Sequence, residues 1–139
     1  MSPEIYTVDI PAEAERLPEV LAFLEQHLEE MGCPFRVQMQ ITVAAEEIFV
    51  NIASYAYAPQ KGTASVCLER FRDPEGVAVT FADRGIPFDP LEQADPDVSL
   101  SAEERRIGGL GIFMVKKTMD DVKYEYRDGQ NILTLIKRF

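Results

Sequence analysis

The chain predicts an α+β layer in which helices cover one face of a sheet. Three observations predict it. Apolar residues recur at three- and four-residue steps in three stretches, the pattern of amphipathic helices. Five shorter stretches alternate apolar with other residues between Pro, Gly or Asp breaks, the pattern of strands. The two kinds of segment run in the order β-α-α-β-β, then a long weakly patterned stretch, then α-β-β. With 139 residues, 46% hydrophobic and 9% aromatic, the chain has the size and composition of one ordinary globular domain, 1–139, with a real core.

Ile5 to Ile10 sets Ile5, Thr7 and Asp9 against Tyr6, Val8 and Ile10, a first strand that Pro11 ends. From Leu17 to Met31 the residues Leu17, Val20, Leu21, Leu24 and Leu28 make one helix face, Glu fills the other, and Gly32 stops the helix. Pro34 suits the first turn of a second helix, expected to run to Tyr55 because no Gly or Pro interrupts it. Gly62–Phe71 and Gly76–Asp83 form a hairpin across Asp73-Pro74-Glu75-Gly76. Arg84 to Ile107 is roughly two dozen residues with little periodicity, a length that inside a compact domain marks a lid or binding loop. A third helix spans Gly109 to Met119. Val122, Tyr124 and Tyr126, the Asp128-Gly129 turn, and Ile132 to Ile136 close the chain as a hairpin.

The charge balance, 14 Lys+Arg against 24 Asp+Glu for a formal charge of -10, argues against direct nucleic-acid binding and suits a basic partner. The N-terminus has no positive region leading into an apolar stretch, and no segment approaches the roughly 18 apolar residues of a membrane span. A cytoplasmic protein is expected. Cys33 and Cys67 lack CxxC spacing and read as reduced packing residues. His27, the one histidine, reads as an exposed helix position, and no Ser-His-Asp or Cys-His machinery can be assembled.

Around the second helix, Val37, Ile41, Ala44, Ile48, Ile52 and Tyr55 form an apolar stripe that Met39, Val43 and Val50 thicken to one side, so the helix is expected to be mostly buried. Gln40, Glu47, Asn51 and Ser54 fall on one narrow polar stripe. An Asn oxygen there suits Mg2+ already carrying phosphates, and a Glu suits a proton from an incoming hydroxyl. The same spacing also describes a solvated helix edge. Asp83 ends a strand and is followed by Arg84-Gly85, which fits an acceptor for a flat ring donor beside a glycine that lets the ring approach, and equally an ordinary Asp-x-Gly turn. Gly108-Gly109-Leu110-Gly111 leads into an apolar helical pattern, so glycine amides and a helix N-terminus converge as a phosphate cradle. It is neither a Walker A loop nor a dinucleotide fingerprint. Lys116 and Lys117 read as solvated helix surface.

Taken in order, Glu47-Ile48-Phe49-Val50-Asn51, Asp83-Arg84-Gly85-Ile86-Pro87-Phe88-Asp89 and Gly108-Gly109-Leu110-Gly111-Ile112 resemble the N, G1 and G2 boxes of the GHKL ATPase superfamily. The Pro-Phe-Asp-Pro continuation, the short lid at about 84–107 and the small size resemble the anti-sigma regulatory factors, serine kinases that control sporulation and stress sigma factors. The resemblance spans nearly the whole chain. It implies the Bergerat ATP-binding fold, a two-layer α/β sandwich with a mixed, largely antiparallel sheet and three helices on one face. It also implies ATP and Mg2+ as cofactors. Asn51 would hold the Mg2+, Glu47 would be the general base toward a substrate serine, and Asp83 would bind the adenine amine. Gly85, Gly109, Leu110 and Gly111 would shape the nucleotide pocket and lid, and Arg105 or Arg106 would neutralise the γ-phosphate. The implied partners are an anti-anti-sigma protein of the STAS type, a sigma factor and a second copy of the chain. The sequence departs from the family pattern at Tyr55, where many members have His, and at Asn131, where a threonine often helps hold the adenine region. The first function expected is therefore an anti-sigma factor that phosphorylates a serine. The alternatives are a nucleotide-gated interaction module without transfer, and a regulatory domain in a wider phosphorelay.

Overall fold

Two kinds of periodicity become two layers in the computed structural model, which describes residues 4–56, 62–72, 75–92 and 109–139. The strands are β1 (Ile5–Pro11), β2 (Thr63–Phe71), β3 (Gly76–Asp83), β4 (Asp121–Arg127) and β5 (Gln130–Arg138). They pair in the order β1-β2-β3-β5-β4, and where a mixed, largely antiparallel sheet was expected, all four pairings are antiparallel. The connections dictate this. Two helices in succession bring the chain back so that β2 runs against β1. The single helix after β3 carries it one place too far, and β5 returns into the gap between β3 and β4. The turn that sends it back is Asp128-Gly129, both at positive φ (55° and 77°), the two-residue connection whose twist matches the strands.

Alternation sends Ile10, Ala64, Val66, Leu68, Val77, Val79, Phe81, Leu133 and Leu135 to one buried face. Against it lie α1 (Leu17–Glu30), α2 (Phe35–Asn51) and α3 (Gly109–Thr118), with α2 central and packed on both of the others. In α1, Val20, Leu24 and Leu28 are fully buried, and Gly32 at φ +75° ends the segment as expected. The opposite sheet face carries half-buried Cys67, Ala78, Thr80, Ala82, Ile132, Thr134 and Ile136, and no described helix covers it.

Three expectations change on contact with the fold. The second helix is not uninterrupted to Tyr55: after Asn51 it widens into a single π turn, Ile52–Ala56. The flank of α2 bearing Met39 and Val43 is open, at 49% and 57% exposure, while Gln38 and Thr42 on the other flank are buried. Packing by α1 decides this, because Gln38 Nε2 donates to Glu29 and to the Cys33 carbonyl, both at 2.8 Å, and a polar side chain so partnered can be buried. His27 is likewise not exposed. Its ring stacks on Tyr6 at 3.9 Å and meets Phe23 edge-on at 5.0 Å, filling the seam between α1 and β1. Both cysteines are free, and burial pushes the Cys33 thiol up to about 11, the setting of an inert packing residue.

Candidate functional site

A cleft opens where α2 and its π turn meet the ends of β3 and β5. Its walls include Ile48, Asn51, Ile52, Phe81, Asp83, Phe88, Tyr124 and Asn131. Apolar side chains dominate, with a few convergent polar groups, the general character of a small-molecule site. Asp83 and Asn131 are cross-strand partners, 4% and 6% exposed. Asp83 Oδ1 accepts from the Gly85 N–H and from Asn131 Nδ2, each at 2.9 Å. Asn131 Nδ2 also donates to the Ile86 carbonyl at 2.8 Å, and its Oδ1 accepts from the Phe88 N–H at 3.1 Å and from the Tyr124 hydroxyl.

The loop after β3 is fastened from the other side by the π turn. The Ile86 N–H donates to the Ala56 carbonyl at 2.9 Å, and a Cβ at Gly85 would overlap that carbonyl and the Ala56 side chain. Glycine is required here because two stretches of backbone meet. The sequence suggested a glycine that admits a ligand ring, and the geometry instead fills its open side with Ala56. Tyr55 and Phe88 pair nearby, ring centroids 5.6 Å apart.

One helical turn before Asn51, Glu47 sits half-buried, and Asn51 Nδ2 donates to Glu47 Oε1 at 3.5 Å. A Cβ at Gly111, in the first turn of α3, would overlap the Glu47 carboxylate. Glu47 therefore rests against the glycine-rich helix start, and both residues line a second cleft with Met39, Val43 and Met114. Burial raises the Glu47 pKa above its ordinary value, neighbouring Glu46 adds to the rise, and the Asn51 hydrogen bond opposes it. A carboxylate so placed is a stronger base than an exposed one.

The residues singled out in the sequence thus converge in part. Asn51 and Asp83 share one cleft, Asn51 touches Glu47, and Glu47 abuts Gly111. Gln40 lines the second cleft, and Ser54, from the same stripe, is exposed. Gly109 and Leu110 open α3, while Arg105, Arg106 and the lid from 93 to 107 lie outside the described residues. Among the described residues no group of three or more His, Cys, Asp or Glu could hold a metal ion, and the Mg2+ that the resemblance implies was assigned to the single amide of Asn51. Asn51 fits such a role, since an amide whose nitrogen faces Glu47 turns its oxygen the other way. Sequence reasoning assigned Tyr124 no role in the site and counted Asn131 only as a departure. The available signal was that both occupy core-facing positions in alternating strands, where a polar group needs a partner.

Residues 10–137 match the histidine kinase-like ATPase domain family. The chain belongs to that family. The chain spans most of the length of the relatives it matches. The serine/threonine-protein kinase BtrW of Bordetella bronchiseptica is 28% identical over 135 residues, covering 97% of this chain and 94% of the relative. The serine-protein kinase RsbW of Listeria monocytogenes is 27% identical over 131 residues, covering 91% and 83%. A chain of the SiaB–SiaC complex from Pseudomonas aeruginosa superposes with a TM-score of 0.59 at 16% identity, covering 96% and 89%, a likeness of fold. No helix among the described residues is long and apolar enough to cross a membrane.

Proposed function

We propose that this histidine kinase-like ATPase domain is an ATP-dependent protein-serine kinase of the anti-sigma type, transferring phosphate to a serine of a STAS-type anti-anti-sigma protein and otherwise sequestering a sigma factor. One observation carries the reading. The acid suited to an adenine amine (Asp83), the amide suited to Mg2+ (Asn51), the candidate base (Glu47) and the glycine start of α3 (Gly111) follow one another along α2. The kinase names of relatives that align along most of their length support it.

In this reading Asp83 accepts from the exocyclic amine of adenine, and the amides at the start of α3 face the phosphates. Bound Mg2+, coordinated by Asn51, would neutralise phosphate charge. The serine oxygen attacks the γ-phosphorus while the bond to the β,γ-bridging oxygen breaks, ADP leaves, and Glu47 takes the hydroxyl proton. The acceptor protein approaches Glu47 from the second cleft, whose open apolar edge of Met39, Val43 and Met114 suits a protein surface. A second copy of the chain would cover the helix-free sheet face. The protein works in the cytoplasm.

Calorimetric titration with ATP, with and without Mg2+ and with GTP as control, tests the pocket. Magnesium-dependent ATP binding is expected, and Asn51→Ala should weaken it. Unaltered affinity in that variant contradicts the magnesium role. A second reading, a nucleotide-gated interaction module without transfer, is favoured by Tyr55 in the family's histidine position. It predicts ATP binding with no labelled serine on the partner.

A further inference from the structure

The hydrogen bonds around Asn131 fix more than a departure from a family pattern, given the nucleotide-pocket reading above. The Phe88 N–H can only donate, so the amide atom 3.1 Å from it is the oxygen. The nitrogen then faces Asp83 Oδ1 and the Ile86 carbonyl, two atoms that accept. Reversing the amide would set its oxygen against both acceptors and its nitrogen against a donor, so the network itself selects the orientation. With the Tyr124 hydroxyl as second donor to Oδ1, both N–H groups and both lone pairs of Asn131 are engaged. Nothing remains on this side chain for a nucleobase. Among the described residues Asp83 Oδ1 is equally occupied, by Gly85 and Asn131, so that Oδ2 is the oxygen suited to meet a ligand in the cleft.

We propose that Asn131, braced by Tyr124, is a positioning residue that sets base selectivity: it holds Asp83 by Oδ1 so that Oδ2 meets an exocyclic amine, and does so without touching the base. A consequence runs against the family pattern. Threonine at this position would be worse here. Its single hydroxyl cannot serve Asp83 and the Ile86 carbonyl together while accepting from Phe88 and Tyr124, and the buried groups left over are costly.

The test is calorimetric titration of the intact chain with Mg-ATP and with Mg-ITP, whose base carries a carbonyl in place of the amine. Wild type, Asn131→Thr and Tyr124→Phe are compared, with thermal unfolding measured on each. The wild type should prefer ATP. Asn131→Thr should lose about tenfold in ATP affinity while ITP changes by less than about twofold, so that the ATP/ITP ratio collapses. Tyr124→Phe should move the ratio the same way, by about threefold. Equal weakening of both nucleotides, or an unchanged ratio, would overturn the proposal and leave Asn131 a support of the loop alone. If Asn131→Thr does not fold, the ratio in Tyr124→Phe decides. A folded wild type that binds neither nucleotide removes the pocket reading itself, and this inference with it.

Discussion

The two ends of the site are built differently. At the Asp83 end, every hydrogen-bonding group of Asn131 has a named partner, the carboxylate is nearly fully buried, and Gly85 presses on the backbone of Ala56. At the Glu47 end, one bond of 3.5 Å joins Asn51 to a half-buried carboxylate, and what a Cβ at Gly111 would first meet is the tip of that long side chain. The first end is determined by rigid groups and the second by a movable one. Under the proposed roles, recognition of a fixed ring gains from the former, because a polar pocket already satisfied needs no rearrangement on binding. A base that must follow an incoming hydroxyl would gain from the latter.

Glu47→Ala should break the comparison most severely. Serine transfer, followed with labelled ATP and the acceptor protein, should fall about 10²–10⁴-fold, while Asp83-directed ATP binding stays within about twofold. Transfer that is unchanged would remove Glu47 as base.

The glycines come next, because each reports the stiffness of its own end. Gly85→Ala meets backbone and should cost about 2 kcal/mol or more, seen as a drop in Tm together with weakened ATP binding. Gly111→Ala meets the end of a flexible side chain that can swing away, so its Tm should fall by less than about 1 kcal/mol in equivalent stability. Transfer should nevertheless slow as the carboxylate is displaced. Adding Glu47→Ala to Gly111→Ala should recover the lost stability. Equal losses of Tm in the two glycine variants would erase the distinction drawn between the ends.

The smallest effect is on pH. Burial raises the folded pKa of Glu47, so the folded chain holds that proton to higher pH than the unfolded chain does. Its contribution to stability is complete below the unfolded pKa and is lost as pH rises through the folded value. Activity runs the opposite way, since only the ionised form accepts a proton. The acid limb of transfer rate against pH should lie above the ordinary value of 4.5, and Glu46→Gln should move it down by removing a like charge. A limb at or below 4.5 would mean that the burial of Glu47 does not act in the working enzyme.

Local order alone determined much of this molecule. Period-two alternation marked all five strands, the Asp128-Gly129 pair marked the hairpin, and the Gly32 stop and the start of α3 fell where backbone chemistry requires them. The spacing that set Glu47 and Asn51 on one stripe was likewise readable, because a helix of known pitch relates them without any other element. What lay beyond reach depends on neighbours distant in the chain. Which flank of α2 is buried was decided by α1 and the turn after it, which supply Glu29 and the Cys33 carbonyl as partners for Gln38. Asp83 and Asn131 lie 48 residues apart and meet because β5 returns between β3 and β4. A residue's periodicity reports the face it occupies, whereas its hydrogen-bond partner across the sheet is set by strand order, and strand order belongs to the tertiary structure.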